Sequence, residues 1–191
     1  MFTIRFRMLY KKVRKMRIHN VHTREFSATP KQVGALIDSL ASSNDRLWPL
    51  ALWPRMKLNK PLGIGAKGGH GPIRYQVKKY SSGSFIKFEF SRPKGFDGYH
   101  SFEVLKISDE KTMLRHTIKM NARGIAIIHW ALWIRPLHDA LVEDGLSTAG
   151  ISLGEEANLR EWSPWVKMLR WISSCGRARS QNFLSEEIQI N

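Results

Sequence analysis

A chain of 191 residues, 42% hydrophobic and 25% charged, has room for one domain with its own core and is too short for two full ones. Its single cysteine, Cys175, excludes an intramolecular disulfide and a cysteine-built zinc or iron–sulfur cage. The formal charge of +15 points to an anionic partner, and its distribution along the chain decides how that charge is read.

Residues 1–17 hold seven bases and no acid, and 159–179 hold five bases against one acid, whereas 18–158 carry 19 bases and 13 acids. Basic ends on a moderately charged body suit an anionic membrane surface, with nucleic acid the weaker alternative. The longest apolar run, Ile125 to Ile134, contains His129 and is about half of the roughly 20 residues a spanning helix needs. The first twenty residues lack the clean apolar stretch and small-residue cleavage site of a secretory signal. A cytoplasmic protein is expected, with peripheral contact at the membrane as an extension of that reading.

In chain order, Arg17 to Phe26 alternates as a strand with Ile18, Asn20, His22, Arg24 and Phe26 on one face. Thr29 and Pro30 then open a helix, as N-cap and first helical residue, with Val33, Leu36, Ile37 and Leu40 at helical spacing. Ser42 to Asp45 ends it and is expected to open a second short helix. Trp48, Leu50, Leu52 and Trp53, punctuated by Pro49 and Pro54, read as a buried connection. Five glycines between Gly63 and Gly71 lead into strand-like sequence, so they do not make a phosphate-cradling loop, which requires a following helix.

Four alternating segments follow at short intervals, the pattern of an antiparallel meander. Their apolar faces are Ile73/Tyr75/Val77, Ile86/Phe88/Phe90, His100/Phe102/Val104 and Leu114/His116/Ile118/Met120. From Gly124 to about Leu153 the period becomes helical, with Ile127, Ala131, Ile134, His138, Leu141 and Val142 on one stripe and Arg135, Asp139, Glu143 and Asp144 elsewhere. Pro136 is expected to kink or divide this helix. In the C-terminal piece, Trp165, Met168, Leu169 and Ile172 share one side of an amphipathic segment from Pro164 to Ser173.

This order, with the phrases Glu25-Phe-Ser-Ala-Thr-Pro30, Gly68-Gly-His-Gly-Pro-Ile-Arg-Tyr75, Gly95-Phe-Asp-Gly-Tyr-His-Ser-Phe-Glu103 and Arg135-Pro-Leu-His-Asp-Ala-Leu-Val-Glu-Asp144, resembles the SRPBCC superfamily of START-like helix-grip proteins. It looks most like the bacterial members grouped near polyketide cyclases and dehydrases. The resemblance implies an α+β fold in which a curved antiparallel sheet wraps around a long C-terminal helix, with two short helices after the first strand. It also implies a pocket for a lipid, polyketide or other small hydrophobic molecule, and it implies no catalytic set. The expected division is a basic extension at 1–15, the helix-grip domain at 16–154, and a basic, tryptophan-rich extension at 155–191.

Parity turns His100 and His116 toward the interior with Phe102, Val104, Leu114 and Ile118, which makes this pair the sharpest polar signal and the candidate general acid and base. His138 on the covering helix would approach from the opposite side, and Arg24 or His22 would assist from the first strand. Candidate lining comprises Arg24, His70, Tyr75, Phe88, Phe90, His100, Phe102, His116, Ile118, Trp130, Ile134 and His138, with His70 at the expected mouth. The histidines are 16 and 22 residues apart on different elements, without tight metal-ligand spacing, so neither metal nor cofactor is expected. Ser91, Ser101 and Ser108 lack the strand–turn–helix context that activates a serine, and covalent hydrolysis is disfavoured.

Overall fold

The computed structural model describes residues 14–177 and Gln181; the expected basic N-terminal extension, as far as residue 13, lies outside the described residues. Seven strands form one antiparallel sheet: β1 (Lys15–Phe26), β2 (Lys57–Leu58), β3 (Lys67–His70), β4 (Ile73–Ser81), β5 (Phe85–Arg92), β6 (Phe96–Lys106) and β7 (Thr112–Arg123). Their order is β1-β7-β6-β5-β4-β3-β2. The meander from β2 to β7 pairs neighbour with neighbour, and β1 joins beside β7. Matching the parity of the sequence, Ile18, Asn20, His22, Arg24 and Phe26 of β1 are buried or half-buried while their neighbours are exposed.

Helix α1 (Pro30–Asp38) starts as the sequence predicts. The Thr29 hydroxyl accepts from the Gln32 amide at 3.3 Å, and the Gln32 side chain accepts from the Thr29 amide at 2.9 Å, a reciprocal capping box. The helix buries Val33, Leu36 and Ile37, and Gly34 permits its close approach to the β4–β5 turn, because a Cβ there would lie 2.1 Å from the Gly83 carbonyl oxygen. The second short helix expected from Ser42 to Asp45 does not form. The Asp45 carboxylate instead accepts from the amides of Ala41, Leu47 and Trp48 at 2.8, 3.1 and 2.8 Å, and these backbone donors are held in turns.

The late helix runs through α2 (Ala126–His129), a π-helical turn (Trp130–Ile134) and α3 (Arg135–Ser152). Pro136 has no amide hydrogen, so the carbonyl of Leu132, four residues back, loses its helical donor. The indole N–H of Trp165 donates to that carbonyl at 2.9 Å instead. The division expected at Pro136 is thus a π-turn whose free carbonyl anchors the next element, α4 (Pro164–Ser173). Ala131, expected on the buried stripe, is exposed, since the wider π-turn shifts the helical phase.

The sheet and the long helix together make the α+β helix-grip architecture. Its core forms two clusters, one around Phe26, Leu36, Trp53, Phe88 and Leu146 and one around Ile18, Phe96, Ile118 and Trp130. Phe90 and Ile134 border both. The C-terminal segment adds Trp162 and Val166 to the first cluster. Asp144, expected off the buried stripe, is fully buried, and its Oδ2 accepts from the indole N–H of Trp53 at 2.7 Å and of Trp162 at 2.9 Å. The Arg170 guanidinium lies 4.1 Å from the ring centroid of each of the same two tryptophans. Of the four α4 residues read as sharing one side of the segment, only Leu169 is buried; Trp165, Met168 and Ile172 face outward while Val166 and Arg170 pack inward.

Candidate functional site

Between the two clusters lies a cavity of about 710 Å³, within the range of roughly 300–1,000 Å³ typical of small-molecule sites. Its floor is sheet: Phe90 of β5, Phe96, His100 and Phe102 of β6, and His116 and Ile118 of β7. Its roof is the late helix, through Trp130, Ile134, His138, Leu141 and Val142. The 47–54 connection supplies a third wall, which sequence reading recognised only as a buried stretch. The exposed members of the lining, which mark the mouth, include Leu50, Gly71, Pro72, Trp133, Ser173 and Arg177.

Strand register brings the imidazoles together. His100 stands opposite Ile118 and His116 opposite Phe102, so the two histidines are diagonal neighbours on one face. Their rings are 5.5 Å apart, with His116 Nε2 at 3.4 Å from His100 Nδ1. His138 reaches down from α3 to 5.0 Å from the His116 ring. Aromatic faces enclose the pair: Phe88 stacks on His100 at 4.7 Å, Tyr75 meets its edge at 4.8 Å, and Phe102 packs on His116 at 4.6 Å. His100 Nε2, His116 Nδ1 and His138 Nε2 are buried with no hydrogen-bond partner among the described residues. Burial holds the pKa of His100 and His116 well below the usual imidazole value, and the charges of neighbouring histidines push the same way. His70, its ring tilted against that of Trp48 at 4.8 Å, is lowered to about 3 chiefly by burial. These groups are neutral at physiological pH.

A second cluster adjoins the cavity on the β1 side. His22 stands directly opposite His116 in the β1–β7 ladder, yet its ring turns to the carboxylates of α3. Its Nδ1 is 2.7 Å from Glu143 Oε1 and its Nε2 is 3.2 Å from Asp139 Oδ1. Burial disfavours its charged form, but the hydrogen bonds to Asp139 and Glu143 outweigh this and raise its pKa to about 9. Asp139 is also hydrogen-bonded to His138 Nδ1 at 3.2 Å and receives the Asn20 amide at 3.0 Å. Despite burial, its bonds to His138 and His22 hold it below the ordinary carboxylate range. Ligand atoms of His22, His138 and Asp139 lie within 4.8 Å of one another, the spread a divalent cation could bridge. The doubly bonded imidazolium of His22, together with Arg24 at 3.4 Å from Glu143, already balances the two carboxylates, so this geometry does not require a metal.

Of the residues singled out in the sequence, His70, Phe90, His100, Phe102, His116, Ile118, Trp130, Ile134 and His138 line one cavity. Tyr75 and Phe88 do not reach it; they form the layer against which His100 packs. Arg24 lies outside it, donating to Ser147 Oγ at 2.9 Å. Sequence reading missed the Asp139–His22–Glu143 bridge, although the spacing of Asp139 and Glu143, four residues apart on a helix, marks them as neighbours.

No protein-family model and no curated protein matches the chain. Among solved structures, a protein from Thermobifida fusca determined by NMR is 14% identical, covering 74% of this chain and 99% of its own, with a TM-score of 0.56. Norcoclaurine synthase from Thalictrum flavum, in complex with dopamine and hydroxybenzaldehyde, is 13% identical, covering 83% of this chain and 98% of its own, with a TM-score of 0.54. CalU16 from Micromonospora echinospora is 10% identical, covering 85% and 92%, with a TM-score of 0.52. At these identities the likeness shows the fold: this chain is a helix-grip protein.

Proposed function

We propose that this protein belongs to the SRPBCC superfamily and binds a small hydrophobic or amphipathic molecule, of lipid or polyketide type, between sheet and long helix. The observation that carries the reading is the cavity of about 710 Å³ with a mainly apolar wall, in which three buried imidazoles each keep an unpartnered nitrogen. Buried polar atoms without partners are rare in folded proteins. A guest with an apolar body and one or two hydroxyl or carbonyl groups would satisfy both properties. Each 100 Å² of apolar guest surface removed from water contributes about 2.5 kcal/mol before binding losses. The test is native mass spectrometry of the purified chain with displacement of a fluorescent fatty acid. Saturable, stoichiometric binding is expected, and the absence of any saturable apolar binder would overturn the reading.

A second reading, a cyclase or dehydratase, draws support from the 3.2 Å contact between Asp139 Oδ1 and His138 Nδ1. A carboxylate on one imidazole nitrogen fixes the tautomer with the proton on that side and leaves Nε2 as a base. His100 and His116 would then serve as acid and base partners across the floor. On this reading His100→Gln, His116→Gln or His138→Gln abolishes turnover of a polyketide-like substrate while leaving its binding and the melting temperature nearly unchanged. Parallel loss of binding and turnover would assign these residues to the pocket wall alone. An anionic membrane partner is a separate proposal, which rests on the surface beside the mouth, including the described part of the basic C-terminal segment.

A further inference from the structure

Among the described residues, twelve large hydrophobic side chains stand exposed, and eight of them lie on two short segments, 125–133 and 165–172. Single exposed apolar residues are ordinary, but a contiguous group is not. Ile125, Ile128 and Leu132 recur at i, i+3, i+7 along the start of the late helix, and Trp165, Met168 and Ile172 repeat that spacing on α4. This spacing makes one face of a helix apolar and normally turns it to a core. Here both stripes face outward, each residue between 42% and 63% exposed. The bond from Trp165 Nε1 to the Leu132 carbonyl holds the two elements side by side, so the stripes form one surface.

That surface adjoins the mouth of the cavity, for Trp133 on one segment and Ser173 and Arg177 just beyond the other belong to its lining. The stretches 123–138 and 162–177 contain no acidic residue; of their exposed cations, Arg123 and Arg135 pair with Asp97 and Asp139, and Lys167 and Arg177 are exposed on and just beyond α4. Tryptophan and aliphatic side chains mixed with cations match the boundary between headgroups and acyl chains of an anionic bilayer. A second copy of this chain would bring the same cations against one another, which opposes self-association.

We propose that this face docks on an anionic lipid bilayer and sets the cavity mouth against it. The use assigned to docking, exchange of a guest with the bilayer, rests on the ligand-binding reading; docking itself does not. The full chain is mixed with vesicles of phosphatidylcholine alone or with added phosphatidylglycerol, and bound protein is measured by sedimentation. Binding is expected to the mixed vesicles, weakening as salt rises. The double variant Ile128→Ser/Trp171→Ala, at two highly exposed positions, is expected to lower the partition coefficient about tenfold or more with an unchanged melting temperature. Lys167→Glu is expected to weaken binding to mixed vesicles by several-fold. Absence of vesicle binding, or equal binding by the double variant, would overturn the proposal. So would a concentration-dependent dimer, seen by sedimentation velocity, that the double variant abolishes. Vesicle binding without saturable fatty-acid uptake would support docking and sink the pocket reading, whereas uptake in free solution without vesicle binding would sink docking alone.

Discussion

His22 and His116 face each other across the β1–β7 ladder and share parity, strand context and chemistry, yet they hold opposite charge states. The His22 ring lies between two α3 carboxylates at 2.7 and 3.2 Å and keeps its proton to about pH 9. His116 is enclosed by Phe102, His100 and His138, has no carboxylate partner, and stays neutral because burial penalises its charged form. His138 lies between them, bonded to Asp139 on one side and 5.0 Å from the His116 ring on the other. Over two ring contacts the fold passes from a charged polar seam to a neutral cavity wall. Two carboxylates overcome burial at His22, whereas His138, bonded to Asp139 alone, is still held below the usual imidazole value chiefly by burial.

The comparison breaks most sharply by substitution. His22→Leu removes the cation between Asp139 and Glu143 and is expected to cost about 1–3 kcal/mol, since it leaves these partly buried carboxylates with only Arg135 and Arg24 as cationic partners; urea unfolding at pH 6 measures it. His100→Phe replaces a neutral ring that has one long hydrogen bond and three aromatic neighbours, Tyr75, Phe88 and Phe90, and is expected to change stability by about 1 kcal/mol or less in either direction. If His100→Phe costs as much as His22→Leu, the dry histidines are structural and the contrast fails.

Stability against pH follows with a smaller amplitude. The proton on His22 is held more tightly in the folded state, so its contribution is complete below about pH 6.5 and is lost as pH rises through about 9. Discounted for its remaining solvent contact, that limb is about 1–2 kcal/mol. The lowered pKa values of His70, His100 and His116 act in the reverse sense: their contribution is complete above about 6.5 and is lost as pH falls, toward about 3 for His70. Melting temperature is therefore expected to peak near pH 6.5 and decline on both sides. His22→Gln should flatten the alkaline limb and also weaken the part of the acid limb that comes from the lowered pKa values of Asp139 and Glu143, whereas His116→Phe should soften the acid limb alone.

The smallest effect concerns ligand choice. His100→Phe should lower affinity for a hydroxylated or carboxylated guest about tenfold relative to a pure hydrocarbon of similar size, because a polar partner is lost while the apolar wall is kept. Equal affinity losses for both guests, read by displacement titration, would mean that the imidazole nitrogens contribute nothing to recognition.

Much of the framework of the site was legible beforehand. Alternation in the meander places His100, Phe102, His116 and Ile118 on the inner face, because strand side chains alternate with a period of two and one face of such a sheet is buried. Thr29 and Pro30 announce the start of α1 because capping is a local matter of one side chain and nearby amides. The connection after α1 was misread because Ser42 to Asp45 resembles a helix opening, while the Asp45 carboxylate has three closer donors in the turn. Which side of α4 packs inward was not legible, because periodicity identifies a stripe and not the partner it meets. Trp162 and Arg170 find their partners, Asp144 and Trp53, 18 residues or more away along the chain.

By itself the sequence determined β1, α1, the four longer strands of the meander with their inward parity, and the presence of a long closing helix, since these follow from local backbone preferences and from the periods of 2 and 3.6 residues. Only the tertiary structure decided which histidines are charged, which apolar stripe packs and which is left outside, and that a cavity remains between two clusters of the core. Those outcomes depend on distances of a few ångströms between groups that can be more than a hundred residues apart, such as His22 and Glu143, and no local pattern encodes them.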